Sequence, residues 1–189
     1  MKKLLSVILA LALLCLCASC GTQGAEAAES LPMGFDSGSC NGIAGFPWGT
    51  EKTAVTADGR FTLNTAGAPV LENAEFGGIS GTLKLHFSKA DETLIGATFT
   101  PVGENAVEDY IALFTALSSA YGTNDGPSSM VSSDGTVTVP PTPEELRENG
   151  NTGSAAQWID IPAGESAAAS IMLTLFSDGR ISLQFILTD

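Results

Sequence analysis

The chain has 189 residues, with 8 Lys or Arg against 21 Asp or Glu, a formal charge of −13 and a single His. A pI near 4.2 argues against a nucleic-acid binder, which needs clustered cations to displace counterions. One imidazole excludes any metal site or proton relay that needs two. The apolar fraction of 44% is too high for a disordered acidic chain, and the length suits one domain or two very small ones.

The N-terminus reads as an address. Lys2 and Lys3 form a positive head, an apolar run follows from Leu4 to Cys17, and small residues close it at Ala18 and Ser19. That is the layout of a secretory signal peptide, covering 1–19, and its apolar run is shorter than the ~20 residues of a bilayer span. The four residues Cys17-Ala18-Ser19-Cys20 resemble the lipobox of bacterial lipoproteins, with Cys17 standing where Leu is usual. The resemblance implies a diacylglyceryl group on the Cys20 thiol and an acyl chain such as palmitate on its amine. Two or three such chains, at about 0.8 kcal/mol per buried CH₂, anchor a protein stably. The implied location is the bacterial cell membrane, facing outside the cytoplasm.

Cleavage before Cys20 removes two cations and no acid, so the mature charge falls to −15. It also removes Cys15 and Cys17. With Cys20 lipidated, Cys40 is the one free thiol, and no intramolecular disulfide is available. No cation lies close to Cys40 in sequence to lower its pKa, which favours an inert thiol over a reactive one. Residues 20–40 are rich in Gly, Ala, Ser and Glu without an apolar period. They read as a lipidated tether with an end-to-end distance on the order of 25 Å, leaving 41–189 as the folded domain.

In chain order, 50–57 reads as a short helix or turn, although Thr53-Ala54-Val55-Thr56-Ala57 is weak helix material. Phe61–Asn64 is a minor strand candidate. Ile79–Phe87 and Leu94–Thr100 alternate apolar and polar residues around the polar stretch 88–93, which predicts a hairpin. Val107, Ile111, Phe114, Leu117 and Tyr121 recur at helical spacing. Asn105 and Glu108 stand where a capping box would, and Gly122 closes the helix, predicted over 105–121. Thr136–Val139 is another minor strand. Thr142-Pro143-Glu144-Glu145 opens a short helix with its own capping box. Gln157–Ile161 reads as a strand ended by Pro162. The alternating runs on either side of Ser177-Asp178-Gly179 read as a second hairpin. Hairpins rather than parallel crossovers predict an α+β domain: antiparallel sheet with one main helix packed on one face. Its order hints at two helix-plus-meander half-units.

Gly45-Phe46-Pro47-Trp48-Gly49-Thr50 resembles the Gly-x-Pro-Trp-Gly-Thr opening of uncharacterised small bacterial lipoproteins. There it precedes a short helix, a meander, a longer helix ending in Tyr-Gly, and a meander with a Trp-bearing strand. Tyr121-Gly122 and Trp158 fit that pattern. The helix-plus-meander unit is similar to the fold of the beta-lactamase inhibitor protein and of SmpA/OmlA-type envelope lipoproteins. This resemblance implies binding or scaffolding, and no catalytic role, cofactor or metal.

Chemistry finds little purchase. His86 is the only base for a serine nucleophile, with Ser80 and Ser88 near it in sequence, and Gly77-Gly78-Ile79-Ser80-Gly81 misplaces the glycines of a nucleophile elbow. The acid clusters Glu72/Glu75, Asp91/Glu92 and Glu104/Glu108/Asp109 suit solvated turns or a helix first turn. Asp58-Gly59, Asp134-Gly135 and Asp178-Gly179 lack the spacing of a calcium loop and suit turns. Trp48, Tyr110, Tyr121 and Trp158 are the candidate partner contacts, with a core role for the two tryptophans as the competing reading. The first expectation is therefore a membrane-anchored binding or envelope-interaction module with a protein or cell-envelope partner. The alternative is a small envelope hydrolase using a carboxylate pair drawn from Glu72, Glu75, Asp160 and Asp178.

Overall fold

The computed structural model describes residues 29–30, 38–122, 130–131, 137–138, 141–149 and 153–188. The signal peptide, Cys20 and Asp134-Gly135 lie outside the described residues. The elements in order are β1 (Glu29–Ser30), β2 (Gly42–Ile43), β3 (Phe46–Pro47), α1 (Lys52–Ala57), β4 (Thr62–Leu63), β5 (Pro69–Phe76), β6 (Ile79–Phe87) and β7 (Leu94–Pro101). There follow α2 (Ala106–Tyr121), β8 (Met130–Val131), β9 (Val137–Thr138), α3 (Pro143–Asn149), β10 (Ser154–Pro162), β11 (Ala168–Leu175) and β12 (Ile181–Thr188).

The domain is α+β. Its main sheet runs β1-β5-β6-β7-β12-β11-β10, with β4 also on β5. Every pairing is antiparallel except the short parallel contact of β1 with β5. Two three-stranded meanders, each preceded by a helix, thus meet along their third strands β7 and β12. Phe99 pairs with Leu183 and Phe185 with Ala97, around a central pair Thr98–Gln184. The first strand of each meander carries a bulge, between Leu71 and Ala74 in β5 and between Trp158 and Ile161 in β10. Within each bulge one residue adopts positive φ: Asn73 at 57° and Asp160 at 55°. Asn and Asp tolerate this left-handed conformation best among residues with a Cβ.

One face of the sheet forms the core. Alternate residues Leu83 and Leu85 of β6, Ala97 and Phe99 of β7, Leu183 and Phe185 of β12, and Ile171 and Leu173 of β11 are buried. Phe76 lies 5.9 Å from Phe99 and 5.8 Å from Phe185, ring centre to ring centre, and so joins the halves. Gly81 makes room for this: a Cβ there would come 2.5 Å from the Phe99 ring. Helix α2 packs on β11, β10 and β6 through Tyr110, Ile111, Leu113 and Leu117. Each fully buried aliphatic side chain contributes about 1.5–3 kcal/mol of transfer free energy. Val107, Phe114 and Tyr121 are only partly buried, so the buried stripe is rotated from the predicted one toward Tyr110 and Leu113.

The helix ends differ from expectation in one case. Asn105 makes no side-chain cap and has φ −106°, ψ 59°, outside the extended region a capping residue needs. At α3 the predicted box forms: Glu145 N–H donates to Thr142 Oγ1 (3.2 Å) and Thr142 N–H to Glu145 Oε2 (2.8 Å). Leu146 of α3 is buried and α3 packs on α2, so this short helix is docked on the domain. The folded part also begins before 41. Cys40 is fully buried, its N–H donates to Pro162 O at 2.8 Å, and β1 lies along β5 at Ala74–Glu75.

Candidate interaction surface

The Gly45–Thr50 motif is fixed by the fold residue by residue. Gly45 and Gly49 have φ of 83° and 82°, which a side chain adopts only at a cost. Trp48 Nε1–H donates to Cys40 O. Gly49 N–H donates to Leu94 O and Leu94 N–H to Thr50 O, at 2.9 and 2.8 Å. The motif therefore clamps residues 40–50 against the β6–β7 hairpin. Arg60 completes the clamp. It pairs with Asp58 at 2.7 Å, donates to Ala44 O at 3.2 Å, and lies 5.7 Å from the ring centres of both Phe46 and Phe61.

The four aromatic candidates divide by burial. Trp158 and Tyr110 are 1% and 2% exposed and present no surface to a partner. Trp158 Nε1–H donates to Gly122 O at 3.1 Å, satisfying a carbonyl just past α2, and Phe114 packs 5.8 Å from its ring. The Tyr110 hydroxyl is hydrogen-bonded to Ser154 Oγ at 3.1 Å, and burial raises its pKa. Trp48 and Tyr121 are half-buried against the core. Burial pushes the Cys40 thiol up to about 12, against smaller lowering contributions from the Gly42 backbone, Trp48 and Tyr121. A thiol so far from ionising is inert at neutral pH. Burial, then the neighbouring Cys40, raises Tyr121 as well.

Apart from Glu72 and Glu75, which share one strand, the proposed acids do not converge. Glu72 and Glu75 lie on β5 and Asp160 on β10, at opposite sides of the six meander strands, about 24 Å apart at ~4.8 Å per strand. Asp178 sits in the β11–β12 turn, paired with Arg180 at 2.8 Å. Asp58 is taken by Arg60, and Asp91 Oδ1 accepts from Thr93 Oγ1 at 2.9 Å. Among the described residues no group of three or more His, Cys, Asp or Glu is placed to hold a metal ion. His86 Nε2 is bonded to Thr98 Oγ1 at 2.7 Å rather than to a serine.

That last pair opens onto a surface that no single motif announces: the other face of the sheet. Its residues alternate with the core, and no described element lies on it. Three cross-strand rows make it up. His86 stands beside Gly96, Gly96 beside Ile186, and Ile186 beside Ser170. The next row runs Lys84, Thr98, Gln184, Met172, Gln157. Beyond it Thr82 pairs with Thr100, and Thr174 with Ser182. Gly96 leaves a gap in this carpet of side chains, because a Cβ there would approach Phe185 O to 2.6 Å. The result is a hollow of about 350 Å³ across the β7–β12 seam, lined by His86, Ile95, Thr98, Gln184 and Ile186 around Gly96. Ile95 and Ile186 are 38% and 47% exposed. Ile95 is thrown outward by the register break between His86 and Phe87. Burial, then the charge of Lys84, lowers the His86 pKa, so its imidazole is neutral at pH 7 and offers one donor and one acceptor.

The sequence carried a signal for this face that motif-seeking passes over. Strands β6, β7, β11 and β12 contain no Asp or Glu and a single Lys, in a chain with 21 acids. No helix among the described residues is long and apolar enough to cross a membrane. Compared with protein families, with curated proteins and with solved structures, the chain has no match.

Proposed function

We propose that this protein is an exported, lipid-anchored, non-enzymatic binding module that holds a protein partner on the open face of its sheet. The observation that carries the binding role is that face: free of acids across its four inner strands, with Lys84 their one charged residue, uncovered by any described element, and hollowed at the seam between the half-units. Six strands at about 4.8 Å and eight residues at about 3.4 Å give the whole face, the acid-bearing β5 and β10 included, an area on the order of 800 Å². That is near the ~800 Å² per partner of a standard protein interface. The lipid anchor rests on the lipobox resemblance at Cys20.

Two measurements test the two halves of the proposal. A photo-crosslinking amino acid at Thr98, on the open face, is compared in intact cells with the same group at Ser119, exposed on α2. Adducts from position 98 and not from 119 support the binding face; equal labelling, or none at 98, overturns it. Cys20→Ser tests the anchor separately, since a variant that stays equally membrane-bound removes it.

A further inference from the structure

We infer that the partner is a cationic protein that seats an apolar side chain in the hollow over Gly96 and lays basic residues against the rim of the face. The inference rests on the binding role proposed above and adds the chemistry of the occupant.

Charge is distributed over this surface in two zones. The four inner strands carry no carboxylate and one cation, Lys84 on β6. Acids flank them on three sides: Glu72 and Glu75 on β5, Asp160 in the β10 bulge, and, at the end of the β6–β7 and β10–β11 turns, Asp91, Glu92 and Glu165, with Lys89 the one cation among these turn acids. Glu72, Glu75, Asp160 and Glu165 enter no ion pair among the described residues. A surface complementary to this is apolar over the hollow, keeps cations away from Lys84, and is positive at its margin. Such complementarity fixes partner choice and speeds encounter more than it adds affinity.

The same zoning excludes other occupants. A second copy of the chain would bring acid rim onto acid rim, at a mature charge of −15. An anionic lipid surface or a nucleic acid would be repelled for the same reason. The centre supplies what a hot spot needs: a desolvatable recess flanked by two exposed isoleucines, with His86 and Gln184 to orient the entering group. Gly96 is held as glycine by the β12 backbone beneath it, so the recess belongs to the sheet itself.

The test uses the mature chain and a panel of 15-residue peptides with a central Leu or Phe flanked by Lys, against the same peptides flanked by Glu. The Lys-flanked peptides are expected to bind, more weakly as salt is raised. Ile186→Asp is the decisive variant, because it sharpens the distinction between seating and attraction. It makes the protein more acidic, so attraction by charge alone strengthens, whereas loss of the apolar seat weakens binding roughly tenfold. Ile186 is exposed, a thermal melt matching the parent's shows that the variant is folded before binding is read, and Ser119→Asp on α2 controls for the added charge. Tighter or unchanged binding by Ile186→Asp overturns the inference, as does equal binding of the Glu-flanked peptides. A crosslinked adduct from position 98 that joins two copies of the chain overturns it too. The first two results leave the binding face standing, and absence of any adduct at 98 removes the face itself.

Discussion

The two half-units reach similar meanders by different means. In the second, the 16-residue α2 lies across β10, β11 and β6 and so covers parts of both meanders. In the first, α1 has six residues and buries one, Val55. The clamp of residues 40–50 and Arg60 does there what a long helix does elsewhere. A short, Thr-rich helix is a poor nucleus by itself, and here backbone hydrogen bonds to the β6–β7 hairpin hold it. Sheet register, more than helix length, is what the halves share, and this is why their common seam makes a regular surface.

That comparison breaks first at the seam core. Phe99 and Phe185 hold equivalent places, and both touch Phe76, so Phe99→Ala and Phe185→Ala should each cost about 3–5 kcal/mol. Urea melts followed by tryptophan fluorescence should show one transition in both variants. Two separated transitions would mean the halves fold independently. Next come the tryptophans, one per half. Trp158→Phe removes a donor to Gly122 O inside the core and should cost about 1–3 kcal/mol. Trp48→Phe, in a half-buried site, should cost less, and a reversed order in thermal melts would show that the clamp outweighs α2.

Smaller effects separate the two larger helices. Thr142→Ala breaks the capping box of α3 and should cost about 0.5–2 kcal/mol, read as faster amide exchange over 143–149. Asn105→Ala should be close to neutral, since that side chain caps nothing. The smallest effect is a pH dependence at His86, whose equivalent in the second half is Thr174. Its folded pKa is below the ordinary 6.5, so below about pH 6.5 the unfolded chain binds more protons than the folded one and stability falls. His86→Thr, which makes the halves alike, should lose less of its Tm than the parent between about pH 7.5 and pH 5.5. An equal loss would assign the acid sensitivity to other groups.

Much of the fold is legible in the sequence where alternation is unbroken. β6, β7, β11 and β12 read cleanly, as does α2. β5 does not, because its bulge spaces the buried residues Leu71, Ala74 and Phe76 by three and then two. Period-two reading fails at such a slip, and Glu72 and Glu75 then look like an acid cluster rather than the outward side of a strand. β10 has the same slip, and only its Trp and the following Pro marked it. The aromatic residues drew notice as contacts because sequence does not say which side of an element is covered. The open face is written in the absence of acids from four strands, and that pattern has meaning only once pairing order places those strands side by side.

The paired bulges have one more consequence, for self-association. An exposed flat strand is a template on which another chain can grow, and crowded sheet proteins risk filaments for that reason. Here Asn73 and Asp160 kink the two outermost meander strands at the same place, and one of the two is further covered by β1 and β4. A neighbouring molecule approaching either side meets a backbone out of step with its own. The bulges oppose lateral growth of the sheet, which favours its broad face as the surface open to contact.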